Sequence, residues 1–232
     1  MVKDRQLVVF GTGEIASLAK FYFEHDSRYR VCGFTADDAY VTGDSFESLP
    51  LVPFSAVAQR FPSSEFEMFV GLSYRRLNRT RREKYLQAKD SRYTMASYVC
   101  SKSALWSDLS IGDNCFILEN QIIQPTVKIG NDVMIWSGNH IGHGATIGDH
   151  AYIASQVVIS GHANIGPLCF LGVNATVRDF VTIGEETFVT MGALVTKDIA
   201  PRSVVLAAAG TTLAPDTPQA RTLRGRYFGL ED

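Results

Sequence analysis

The hydrophobic pattern of the chain changes period part-way along. From Ile111 to Val195 every sixth residue is aliphatic without a slip, through Ile117, Ile135, Ile153, Leu171 and Val189, and Val99 and Leu105 extend the series backwards. Four places after most of these comes a small or β-branched residue, such as Val127, Ala145, Ala163 and Val181, and glycine often follows directly, as at Gly130, Gly142 and Gly172. A period of six matches neither a helix nor an alternating strand. It matches a short strand and a tight corner per repeat, with the large and the small side chain both inward. Three repeats close a triangular coil, and coils stack at a strand spacing of ~4.8 Å, so each inward residue rests on its counterpart one coil later. Sandwich strands, recurring at about 8–12 residues with variable loops, would not keep phase over so many repeats.

The first part of the chain reads differently. Val8-Val9-Phe10 predicts a strand, Gly11-Thr12-Gly13 a turn, and Ile15, Leu18, Ala19 and Tyr22 the apolar face of a helix. A second strand is expected over Tyr29 to Phe34, before Asp37 and Asp38, and a third over Phe66 to Leu72, before a charged helix from about Leu77 to Lys89. Alternating strand and helix predict an α/β domain with a small parallel, Rossmann-like sheet. The expected organisation is a nucleotide-sugar-binding domain over 1–92, a β-helix over 93–200, and a cap or tail over 201–232, where the period lapses. Gly11 and Gly13 after a strand suit a phosphate-binding turn at a helix N-terminus, with Ala16 in place of the third glycine of the dinucleotide fingerprint. Asp37 and Asp38 stand at about the spacing of a ribose-binding acid, and Tyr74, Arg75 and Asn78 are candidates to line the same site.

Composition narrows the function. A formal net charge of −2 argues against a nucleic-acid coat or a basic membrane-binding surface. The N-terminus lacks a signal-peptide pattern and no stretch is long enough to span a bilayer, so the expectation is a cytoplasmic protein without membrane or nucleic-acid partners. Cys32, Cys100, Cys115 and Cys169 include no Cys-x-x-Cys pair, so reduced thiols are expected rather than disulfides or a zinc ribbon.

The uninterrupted repeats, Gly11-Thr12-Gly13, and Gly33-Phe34 followed by Asp37-Asp38 together resemble the bacterial hexapeptide-repeat sugar acyltransferases that carry an N-terminal nucleotide-sugar domain. Within that family the resemblance is to sialic acid O-acetyltransferases and amino-sugar-nucleotide N-acetyltransferases. The resemblance implies a left-handed parallel β-helix, a homotrimer with active sites between neighbouring β-helices, and acetyl-CoA or another short acyl-CoA as co-substrate, without a metal. It implies transfer of the acyl group to an amine or hydroxyl of a nucleotide-linked sugar. It also places a catalytic histidine at the third position of a repeat, which here is His143, flanked by Gly142 and Gly144 where family members often carry carboxylates.

An imidazole suits the general base because its pKa lies near working pH. Four of the five histidines, His140, His143, His150 and His162, fall close together. One coil beyond His143 lies Gly161, whose bare backbone N–H suits an oxyanion donor to the thioester and a contact for acyl-CoA. His162 should neighbour His143 at the same corner, either contacting acyl-CoA or acceptor or lying exposed. His140 and Asn139 are candidates to orient the base, and His150 is expected on another face with no role. Two other functions compete. A trimeric β-helix zinc enzyme of carbonic-anhydrase type needs three histidines around one ion, which the spacing of His140, His143 and His162 does not resemble. A nicotinamide-dependent oxidoreductase needs a fuller dinucleotide fold than the N-terminal part offers.

Overall fold

A computed structural model describes residues 2–229. Its N-terminal strands are β1 (Arg5–Phe10), β2 (Tyr29–Ala36), β3 (Ser45–Phe46), β4 (Leu49–Pro53) and β5 (Glu67–Val70), and its helices are α1 (Glu14–Asp26), α2 (Val57–Arg60) and α3 (Arg79–Asp90). The sheet runs in the order β3-β4-β2-β1-β5, parallel throughout except for the antiparallel β3-β4 edge. Leu7, Val8, Val9 and Phe10 are all buried, as a strand covered on both faces requires. α1 closes one face with Ile15, Ala16, Ala19 and Phe23, at helical spacing. The β3-β4 hairpin is an addition to the three strands expected from sequence.

Beyond Tyr93 the chain winds into a triangular prism of two-residue strands. Three parallel sheets of five, seven and five strands form its faces. The register is strict: Lys128 pairs with Thr146, Met134 with Tyr152, and His140 with Val158, each a coil apart. From Asn114 to Gly192 every sixth residue takes a left-handed backbone, with φ between 54° and 81°. Asn, Asp and Gly fill many of these corners because they tolerate that region best. Inside, Ile117, Ile135, Ile153, Leu171 and Val189 stack in one continuous apolar column of the core. Each buried aliphatic side chain contributes roughly 1.5–3 kcal/mol relative to exposure.

The ends of the prism depart from expectation. Leu105 keeps the phase but is 37% exposed, while Leu109 packs against the core. At the other end Ile183 pairs with Ile199 and Val189 with Val205, so that coil is two residues shorter than the rest. Val204–Val205 therefore adds a rung within the segment expected to cap or trail the prism, and α4 (Pro218–Phe228) follows, capped by Thr217. Among the described residues no helix is long and apolar enough to cross a membrane.

The α/β unit rests on the seven-stranded face. Phe23 and Phe69 from the unit meet Phe116 of that face with ring centroids 6.4 and 5.3 Å apart. Both corners bordering this face are gripped. At one, Tyr22 donates to Glu119 at 3.0 Å. At the other, the fully buried Arg81 of α3 donates to Asp132 at 3.1 Å and to the His150 carbonyl at 2.8 Å. The third corner, carrying residues 142–145 and 160–163, lies opposite and is left uncovered.

Candidate active site

His143 stands on that third corner, after the strand His140–Ile141 and before the strand Thr146–Ile147, and is exposed. Its backbone N–H donates to Oε1 of Gln124 at 2.9 Å, and its ring Nδ1 lies 3.0 Å from the same oxygen. On the coil above, a Cβ added to Gly161 would lie 2.8 Å from Cε1 and 3.1 Å from Nε2 of His143. Only glycine lets the imidazole occupy this place.

The stacking explains why the Gly161 amide is open. In the coil before, the equivalent N–H belongs to His143 and is covered by Gln124. The residue stacked one coil above Gln124 is Gly142, which has no side chain to cover Gly161, and a Cβ there would lie 2.5 Å from the Gly161 nitrogen. Among the described hydrogen bonds the Gly161 N–H has no acceptor, while its carbonyl accepts from Phe180 N at 3.1 Å. His162 completes the corner. Its ring meets His143 edge-on at 4.9 Å and stacks on Phe180 at 5.0 Å. It fits there because Gly144 leaves room: a Cβ at Gly144 would lie 2.5 Å from His162 Nδ1.

The α/β unit holds a separate cavity of about 380 Å³, lined by Gly11, Gly13, Asp37, Tyr40, Arg75 and Lys84 among others. Gly11 has φ +128°, and a Cβ there would press to 2.8 Å from the Gly71 carbonyl oxygen. Gly13 is the N-cap of α1 and supplies no side-chain cap, so the helix N-terminus borders the cavity with donors unclaimed by a capping group. Lys84 Nζ lies 2.5 Å from Asp37 Oδ1. A neighbouring cavity of about 380 Å³ is bordered by Tyr74, Trp136 and Tyr152, with Tyr74 and Tyr152 packed edge-to-face at 5.1 Å.

Several expected site residues lie elsewhere. Asn78 is fully buried in the joint between α/β unit and prism. Its Nδ2 donates to the Leu168 and Cys169 carbonyls at 3.3 and 3.2 Å, and its Oδ1 accepts from Arg81 at 3.2 Å, leaving it nothing for a nucleotide. Asp38 turns away from the cavity. It accepts from the Ser55 hydroxyl at 2.7 Å and the Ser55 N–H at 3.3 Å, and these bonds hold its carboxyl below the usual range. Asn139 points into the prism, where its amide donates to the Trp136 carbonyl and accepts from Val157 N at 2.6 Å, so it cannot orient His143. His140 projects from the flat of the five-stranded sheet, and among the described residues no hydrogen bond joins it to His143. The contact expected of His140 or Asn139 is made by Gln124, which sequence reasoning passed over although the stacking rule, run one coil back from Gly142, names it. His150 lies at the α3 corner, its Nδ1 2.8 Å from Asp132 Oδ2. Among the described residues no three His, Cys, Asp or Glu side chains converge, so the zinc arrangement has no observation in its favour.

Fold and corner together define a left-handed parallel β-helix protein with an N-terminal Rossmann-like unit. Residues 126–161 match the family model "Bacterial transferase hexapeptide (six repeats)". A search of curated proteins returns no match. Among solved structures the chain is similar to a variant of perosamine N-acetyltransferase from Caulobacter crescentus in complex with CoA and GDP-perosamine, at 18% identity and a TM-score of 0.77, covering 90% of this chain and 100% of that one. It is similar to the acetyltransferase domain of PglB from Neisseria gonorrhoeae in complex with acetyl coenzyme A, at 18% identity and a TM-score of 0.76, covering 86% and 95%. WeeI from Acinetobacter baumannii gives 18% identity and a TM-score of 0.73, covering 88% and 97%.

Proposed function

We propose that the protein is a sugar acyltransferase that moves an acetyl or other short acyl group from CoA to an amine or hydroxyl of a nucleotide-linked sugar. The observation that carries the reading is the corner where an exposed imidazole lies against an unclaimed backbone amide. His143 takes the proton of the attacking nitrogen or oxygen as that atom adds to the thioester carbonyl. The Gly161 N–H donates to the oxygen on which charge develops, a contact worth ~3 kcal/mol. The tetrahedral intermediate then collapses, the C–S bond breaks, and the His143 imidazolium returns its proton to the departing sulfur, so that CoA leaves as the thiol. His162 borders the thioester from the same corner.

The α/β cavity takes the nucleotide. The glycine turn and the α1 N-terminus suit a diphosphate, Arg75 supplies positive charge, and Asp37 accepts from ribose hydroxyls. An amino sugar is favoured, because the complex of perosamine N-acetyltransferase combines the same architecture with GDP-perosamine. Acetyl-CoA as donor goes with a cytoplasmic location.

A homotrimer joins the two half-sites. Within one chain the cavity and His143 lie on opposite sides of the prism. The sheet beside His143 presents Ile122, Val158 and Leu194, exposed by 54%, 37% and 70%, with Met191 and Phe180 at its borders. An apolar face of this kind suits a second copy, whose own cavity would then approach His143. The test is to offer nucleotide-linked amino sugars and their unmodified counterparts with acetyl-CoA and follow free thiol. Acceptor-dependent release is expected, and release with no acceptor in the panel contradicts the reading.

A further inference from the structure

We propose that Gln124 is the positioning residue of the site, fixing His143 in the tautomer that leaves Nε2 free to take a proton. The consequence for catalysis rests on the acyl-transfer reading above; the tautomer rests on geometry alone.

The argument is one of donors and acceptors. Oε1 of Gln124 lies 2.9 Å from the His143 backbone nitrogen and 3.0 Å from Nδ1. A backbone N–H only donates, so the side-chain atom it meets is the amide oxygen and not the amide nitrogen. An amide oxygen only accepts, so the ring nitrogen sharing it carries the hydrogen. The neutral imidazole therefore holds its proton on Nδ1, and its lone pair lies on Nε2, which stands 3.1 Å from where a Gly161 Cβ would be. One side chain thus performs two tasks: it covers the His143 amide and leaves the lone pair of the imidazole on Nε2. Its stack-mate Gly142 does the reverse by offering no side chain.

The partner is neutral, which has a chemical consequence. A carboxylate in this place would both hold the tautomer and stabilise the imidazolium formed when the proton is taken; the amide holds the tautomer only. Gln124→Glu should therefore keep the native arrangement, and Gln124→Leu should lose it.

The experiment is 15N NMR of the full-length protein labelled at histidine, with His143 identified by its loss in His143→Gln. At a pH where the ring is neutral, native His143 should show a protonated Nδ1 and a bare Nε2. Gln124→Glu should retain that pattern. Gln124→Leu should shift the population toward a protonated Nε2, and with an acceptor from the panel its kcat should fall ~10-fold or more, within the 10²–10⁴ a general base supplies, while KM for acetyl-CoA stays level. A native His143 with its proton on Nε2, or a Gln124→Leu protein with the native pattern, overturns the proposal. Should no acceptor of the panel release thiol, the acyl-transfer reading fails instead; should His143→Ala retain full turnover, His143 is not the base; in both cases the tautomer result is unaffected.

Discussion

His143 is oriented by an amide from the coil below rather than by a residue beside it in sequence. That geometry allows sharp predictions at single residues. His143→Ala should lower turnover by ~10²–10⁴ with its melting temperature unchanged, because the side chain is exposed and supports no buried contact. Gly161→Ala should also lose activity, since its Cβ would stand 2.8 Å from Cε1 of the imidazole and must push the ring aside. Steady-state kinetics beside thermal melts checks both. A Gly161→Ala enzyme with native kcat would remove the steric argument. The placement of this corner was legible in the sequence: the family resemblance singled out His143, and one addition of eighteen sets Gly161 and then His162 beside it. Gln124 was not legible as a neighbour of His143, because in a stacked coil the contacting residue lies a full turn away in sequence.

Among the elements, the strands of the prism are too short to stand alone and persist through stacking, whereas α3 is fixed by a buried polar joint. Arg81, Asp132, Asn78, Asn114 and His150 satisfy one another there. Arg81→Leu strands the fully buried Asp132 carboxylate and should destabilise by about 3–5 kcal/mol in denaturant titration. A loss under ~1 kcal/mol would mean that the joint contributes little. The thiols make a second case. Burial pushes Cys115 up to about 12 and Cys169 up to about 11, both above the ordinary value of 9.0. A raised folded pKa means that the unfolded chain releases these protons first. Their contribution is whole below pH 9.0 and should drain away as pH climbs toward 11 and 12, by up to ~1.4 kcal/mol per pH unit for each thiol. Melting temperatures over this range should fall less steeply in Cys115→Ala/Cys169→Ala, and equal slopes would contradict the assignment. The joint was invisible to sequence reading, since Asn78 reads as a candidate for the nucleotide site and Arg81 as part of a charged helix until the corner they enter is known. The β3-β4 hairpin was equally hidden, because Pro50 and Pro53 make the β4 segment read as a loop.

At the scale of the whole molecule, the same six-residue period that made the prism legible also separates the two half-sites. The α/β unit covers one face, the candidate base stands on the opposite corner, and among the described residues no contact bridges them. The proposed acyl transfer therefore needs His143 from one chain and the cavity from another. Mixing two inactive proteins tests this most directly: His143→Ala, which keeps the cavity, and Arg75→Glu, which keeps the base but sets a negative charge where the diphosphate would lie. Each alone should be inactive. Unfolded together in equal amounts and refolded, they should regain about a quarter of native turnover, the share of sites in a randomly assembled closed ring that pair an intact base with an intact cavity. Mixed oligomers that form yet release no thiol would contradict a site shared between chains.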